Sequence, residues 1–273
     1  MRDWPQRWAR WRRARTLERH AIPDDLWQAT LEHFPFLLRR SPGDLTRLRE
    51  LATLFLTRKE FSGAGGMEVT DAMAVAVAAQ ACVPVLELGL ECYDGFVGIV
   101  VHPDAVAARR EIVDDAGVVH HYVEELSGEA MDGGPLMLSW SDVAEAGSSA
   151  AWGYNVVIHE FVHVLDLHAA RAGIKGRAGS ASWSQRLGVE YERFAARVDA
   201  GADTLLDPYG AEAIEEFFAV AAEAFFVAPT EVRGEEPALY DLLVEFFRQS
   251  PADAPPSSGD PETKEKGSRS SLC

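Results

Sequence analysis

The stretch His159-Glu160-Phe161-Val162-His163 constrains this chain more than any other. It is an H-E-x-x-H sequence in an apolar run, with Val156-Val157-Ile158 before it and Val164-Leu165 after it. A helix apolar almost all round is a buried one. At about 3.6 residues per turn, His159 and His163 stand one turn apart on one face. Two buried imidazoles and a carboxylate need partners, because unpaired buried polar groups are costly. A metal ion supplies them: imidazoles so spaced can bind one tetrahedral Zn²⁺ at about 2.0–2.1 Å each. Glu160 falls beside the metal rather than on it, where it can act as a general base. The alternative, a surface helix with two solvated histidines, conflicts with the apolar run.

Asp166, seven residues after His159, shares the metal-facing side and can hold a histidine ring from behind, or make a helix-end salt bridge. His168 points to the opposite face and misses the spacing of a third histidine ligand. A catalytic zinc site keeps three protein ligands and an open position. The natural third donor is a carboxylate on a later helix. Tyr209 to Phe226 reads as that helix, with an apolar stripe of Ile214, Phe217, Phe218, Ala221 and Phe225. Glu212, Glu216 and Glu223 lie on its other side. Periodicity does not choose among them, and a solvated acidic face is the bland alternative.

Tyr209 followed seven residues later by Glu216, in Glu-Phe-Phe-Ala-Val, resembles the second motif of the Mlc titration factor A family. These are bacterial zinc peptidases whose catalytic domain is similar to that of anthrax lethal factor. The resemblance spans about residues 45 to 250 and includes Pro84 to Glu91, Asp94-Gly95-Phe96, Ser127-Gly128-Glu129 and Gly134-Pro135. It continues through Leu138-Ser139-Trp140, Gly153-Tyr154-Asn155, the H-E-x-x-H segment, Leu239-Tyr240 and Phe246 to Gln249. It implies an α+β fold: a zincin-like metallopeptidase domain with a small mixed sheet, the H-E-x-x-H helix, a downstream glutamate helix and N-terminal helices. It implies a gluzincin ligand set of His159, His163 and Glu216 on one Zn²⁺, with Glu160 as general base. Tyr209 becomes the donor to the developing oxyanion, a role otherwise open to reading as a turn aromatic. Glu223 becomes a supporting or helix-packing carboxylate. Peptidase or aminopeptidase activity and a link to a sugar-responsive transcriptional repressor are also implied. A module that binds the repressor with incidental hydrolysis, and a zinc hydrolase acting on non-peptide substrates, are the other readings.

The chain has 273 residues, 47% apolar and 25% charged, in the ordinary globular range. A net charge of −17 argues against general nucleic-acid binding. Three cysteines, Cys82, Cys92 and Cys273, form no framework and suggest reduced thiols in a cytoplasmic protein. No apolar run approaches the ~20 residues that span a bilayer, and no signal segment is recognisable.

Residues 1–20 form a basic Trp/Arg-rich arm, with Trp4, Trp8 and Trp11 at helical spacing among arginines. Either a membrane-surface helix or a helix docked on the acidic body fits this pattern. Residues 21–250 read as one metallopeptidase domain, with a helical part at 21–83 and a catalytic part at 84–250. The tail at 251–273 has the composition of disorder. Two helices are expected over 24–60, broken at Pro42-Gly43-Asp44, then helices at 70–81, 183–198 and 237–248. Leu86 and Leu88 fit a helix end or a short strand, and Gly173 to Gly179 a loop. Strands are expected at 95–102, 118–123 and 135–141. His120 and His121, adjacent on a strand, face opposite sides and read as structural or surface residues. In zincin-type peptidases an edge strand like 135–141 takes the substrate backbone as an added strand. Ser139 and Trp140 are therefore expected in the substrate groove, with sheet packing as the alternative.

Overall fold

The helix carrying the two histidines, α6 (Val156–Ala172), lies between a small sheet and the glutamate helix, α8 (Ile214–Val227). The computed structural model describes residues 4–104, 106–113, 119–126, 128–130, 134–146, 153–172 and 181–253. The expected loop at Gly173 to Gly179 and the tail beyond residue 253 lie outside the described residues.

The chain opens with α1 (Trp4–Arg19), α2 (Asp24–His33) and α3 (Pro42–Leu56). Ser41 begins α3 by accepting from Asp44 N at 3.1 Å, with Pro42 at the first helical position. Strand β1 (Glu60–Gly63) follows, then α4 (Asp71–Ala81), capped by Thr70. Helix α4 carries Ala or Val at most positions and is buried from Val75 onward, so neighbouring backbones can approach it closely. Leu86 and Leu88 fall in turns rather than a strand.

Strand β2 (Gly98–His102) pairs parallel with β1, and β6 (Leu136–Ser139) pairs parallel with β2. Between them in sequence come an antiparallel hairpin, β3 (Val106–Val113) and β4 (Val119–Leu126), and the short β5 (Gly128–Ala130). His120 and His121 sit on β4, opposite Ile112 and Glu111. Strand β5 pairs antiparallel with β6, giving a mixed sheet ordered β1-β2-β6-β5. The expected edge strand is therefore an interior one, because β5 covers its outer side. Its span also corrects: the strand stops at Ser139, and Trp140 opens α5 (Trp140–Glu145).

Among the described residues the further helices are α7 (Ala181–Asp199), α9 (Pro229–Glu235) and α10 (Pro237–Phe247). One apolar cluster runs from Ile22 to Phe247. Behind α6, Phe161 packs against Phe55, Tyr93 and Phe96, with ring centroids 5.0–5.8 Å apart. Helix α8 is buried from Phe217 to Val227; Phe218 meets Trp183 and Phe246, and Phe225 meets Tyr240 and Phe247. Each such ring contributes about 1.5–3 kcal/mol of burial, so the positions of α6 and α8 are firmly set. Among the described residues no helix is long and apolar enough to cross a membrane.

Candidate metal centre

Asn155 starts the centre by starting α6. Its side-chain oxygen accepts from Ile158 N at 2.9 Å, an N-cap bond that fixes where the helix begins. Its amide nitrogen donates to Gln80 Oε1 on α4 at 2.7 Å. Just upstream, Gly153 has φ 75°, a left-handed turn that glycine adopts without strain. A Cβ there would lie 3.5 Å from Ala224 Cβ on α8, so the turn brings α6 and α8 close together.

From this start, His159 and His163 face α8, where Glu216 and Glu223 lie seven residues apart. The two Nε2 atoms are 3.1 Å apart. Glu216 Oε2 is 3.1 Å from Nε2 of His159 and 3.4 Å from Nε2 of His163. Among the described residues these three form the group that could hold a metal ion. Ligands at about 2.0–2.1 Å around a tetrahedral centre stand about 3.3–3.4 Å apart, close to these separations. Glu212 is exposed at the end of the turn preceding α8, away from the group.

The other ring nitrogen of His159 explains the donor set. Its Nδ1 lies 2.6 Å from Glu223 Oε1, and the second oxygen of Glu223 accepts from Asn155 N. Glu223 is only 2% exposed. With Nδ1 turned to Glu223, Nε2 faces Glu216 and His163, at a point where all three could hold a cation.

Burial and neighbouring charges shift the ionisation of His159, Glu160, Glu216 and Glu223. Burial pushes the Glu160 carboxyl up to about 7, against the pull of His159 and His163. Burial opposes charge on His159, but Glu223 and Glu216 outweigh it and raise this imidazole to about 10. Glu216 is likewise disfavoured by burial, yet the two rings hold it well below the usual carboxylate range. Burial raises the Glu223 carboxyl, with His159 opposing.

Tyr209 lies in a 3-10 turn, Pro208–Ala211, fixed by Asp207 accepting from Tyr209 N at 2.9 Å. Tyr191 secures the same turn through Ala211 O at 3.0 Å. The Tyr209 ring centroid is 6.2 Å from that of His159, and the residue is 41% exposed. It therefore stands at the open side of the centre.

Three expectations meet other surroundings. Asp166 is exposed but close enough to His163 to act on it electrostatically, while Glu223 is the carboxylate on the His159 ring. Ser139 is buried; its hydroxyl lies 2.8 Å from that of Ser141 and accepts from Asp142 N as the cap of α5. Trp140 is partly buried against the core at the first position of α5. Ser139 thus ends β6 as the cap of α5, and Trp140 opens that helix. Sequence reading passed over Asn155 and Gln80. An Asn directly before an apolar helical run is an N-cap signal, whereas a lone Gln in an Ala-rich helix gives none.

Relatives share most of the chain. An uncharacterized protein from Synechocystis sp. is 34% identical over 250 residues, covering 89% of this chain and 90% of the relative. Mlc titration factor A of Klebsiella pneumoniae is 32% identical over 234 residues, covering 82% and 86%. Mlc titration factor A of Salmonella arizonae is 32% identical over 235 residues, covering 84% and 92%. The family described as glucose-regulated metallo-peptidase M90 matches residues 8–248. With its histidines and glutamate converging on one point and this match along nearly its whole length, the chain belongs to the M90 metallo-peptidase family.

Proposed function

We propose that this protein is a zinc-dependent peptidase acting on small peptides or peptide amides, with an aminopeptidase-like preference. The convergence of His159, His163 and Glu216 at 3.1–3.4 Å carries this reading. These three residues hold the ion. A zinc ion so held acts as a Lewis acid and makes water a nucleophile near neutral pH.

The chain's own groups do the remaining work. Glu160, buried and adjacent to His159, takes a proton from the attacking water and returns it to the leaving nitrogen. Its buried position keeps it shielded from bulk water, where a carboxylate can pass a proton between the nucleophile and the leaving group. Tyr209, on the exposed side, donates to the oxygen of the tetrahedral intermediate. Glu223, accepting from Nδ1, positions the His159 ring so that its Nε2 faces Glu216 and His163.

The name of the Klebsiella and Salmonella relatives, Mlc titration factor A, supports a second reading. In it the chain acts by binding the Mlc repressor, and hydrolysis is incidental. Both readings are tested by zinc-dependent cleavage of chromogenic amino-acid amides with wild type and Glu160→Gln. The peptidase reading expects a loss of about 10²–10⁴-fold in the variant, with zinc content unchanged. Equal inactivity of both zinc-loaded proteins, together with Mlc binding by each, would favour the binding reading. Turnover restricted to non-peptide esters would indicate a different hydrolase.

A further inference from the structure

Helix α1 has two unlike sides. Leu17 packs toward the core and Arg13 bonds Glu50 on α3 at 3.0 Å. That side carries the docking contact expected of a helix resting on the acidic body. On the opposite side, Trp8 and Trp11 are 53% and 54% exposed. Arg12, Arg15 and Arg19, also exposed, share with these two tryptophans an arc of about 100° around the helix. Trp11, Arg12, Arg15, Thr16, Arg19 and His20 line a shallow open groove along it.

The charge balance makes this side unusual. The first twenty residues hold seven arginines against Asp3 and Glu18, a surplus of five positive charges. The whole chain carries −17, so the remaining residues carry −22. Large exposed aromatics and clustered arginines on one helix side are the composition of a surface that settles into lipid headgroups. We infer that the outer side of α1 is a peripheral docking surface for anionic membranes, with Trp8 and Trp11 at headgroup level and Arg12, Arg15 and Arg19 on lipid phosphates.

Two observations favour a bilayer over nucleic acid, the other polyanion that arginine and tryptophan serve. The Arg12 guanidinium lies 4.9 Å over the Trp8 ring, and Arg15 lies 5.4 Å over Trp11. Each ring thus carries a cation over one face, which leaves less aromatic surface free to stack on bases. A headgroup layer needs only the ring edges and the aliphatic stems of the arginines. The −22 carried by the remaining residues repels any polyanion, and screening at physiological salt limits that repulsion to charges within about 8 Å of the approaching surface.

The test is flotation of the full chain with vesicles of phosphatidylcholine alone or mixed with phosphatidylglycerol. The inference expects binding to the mixed vesicles, weak binding to the neutral ones, and release by high salt. Trp8→Ala/Trp11→Ala and Arg12→Gln/Arg15→Gln/Arg19→Gln should each lower partitioning about tenfold or more, with circular dichroism checking that α1 stays helical. Should a variant lose helix, brominated lipid provides the second measurement, because it should quench wild-type fluorescence through Trp8 and Trp11. Binding indifferent to phosphatidylglycerol, binding unchanged in both variants, absence of quenching, or stronger binding to a single-stranded oligonucleotide than to vesicles would overturn the inference.

Discussion

Glu223 and His159 meet at 2.6 Å with the carboxylate almost sealed from solvent. The carboxylate serves two donors at once, the ring Nδ1 of His159 and the backbone N–H of Asn155. It therefore couples the orientation of the His159 ring to the first turn of the helix that carries it. Glu223→Ala should weaken zinc affinity about 10–100-fold, whereas Glu223→Gln, which keeps one acceptor oxygen, should lose less. Competition against a fluorescent chelator measures this. An unchanged affinity in Glu223→Ala would remove the positioning role.

Metal binding should also register as stability. An ion bound only by the folded chain, at a hundred times its dissociation constant, adds about 2.7 kcal/mol. Protein stripped with a chelator should melt below the zinc-loaded form and recover when zinc returns. In Glu216→Ala and His163→Ala the two melting curves should coincide. Stoichiometric zinc retained by either variant in elemental analysis would count against the ligand set.

Asn155→Ala removes the cap of α6 and the amide link to Gln80 together. The expected loss is about 1–2 kcal/mol in urea unfolding, larger than that of an ordinary cap because the Gln80 oxygen is left buried and unpaired. Asn155→Asp keeps the cap oxygen and should recover part of the loss.

Lys59 gives a pH-dependent prediction away from the centre. Its Nζ donates to Tyr93 O and Phe96 O and lies 3.8 Å from the Phe96 ring centroid. Burial lowers this amine from 10.5 to about 8, with Asp94 opposing and Arg58 assisting. Between those values the unfolded chain holds a proton that the folded chain has released. Raising the pH from about 8 toward 10.5 should therefore stabilise wild type relative to Lys59→Met. Denaturant midpoints of both proteins across that range test the sign; a constant difference would contradict the lowered value.

Much of the centre is legible because helical periodicity is a local property. The turn spacing of His159 and His163, and the apolar residues around them, place both rings on one side of a buried helix without any knowledge of its neighbours. The choice among Glu212, Glu216 and Glu223 is not local. It depends on how α8 crosses α6, which Gly153 and the aromatic packing around Phe218 and Phe225 set in three dimensions. Only resemblance to a family distinguished Glu216 beforehand. Strand β1 escaped reading because Glu60–Gly63 is a mostly exposed edge with no apolar alternation. Trp140 misled for the opposite reason. Its aromatic side chain prolongs the strand pattern past Ser139, although that serine has the chemistry of a helix cap.

The seven-residue interval between Glu216 and Glu223 has a consequence for how the chain tolerates change. A slip of α8 by one position would swing both carboxylates about 100° away from the imidazole together. The positions taking their place would be Glu215 with Ala222, or Phe217 with Ala224, and neither pair can grip both ends of the ring. A single-residue insertion or deletion inside that interval should instead part the two carboxylates by about 100°, so that only one of them still meets the ring and ion retention weakens even where the altered helix folds. Ion content thus becomes a gauge of whether the two helices have seated in register.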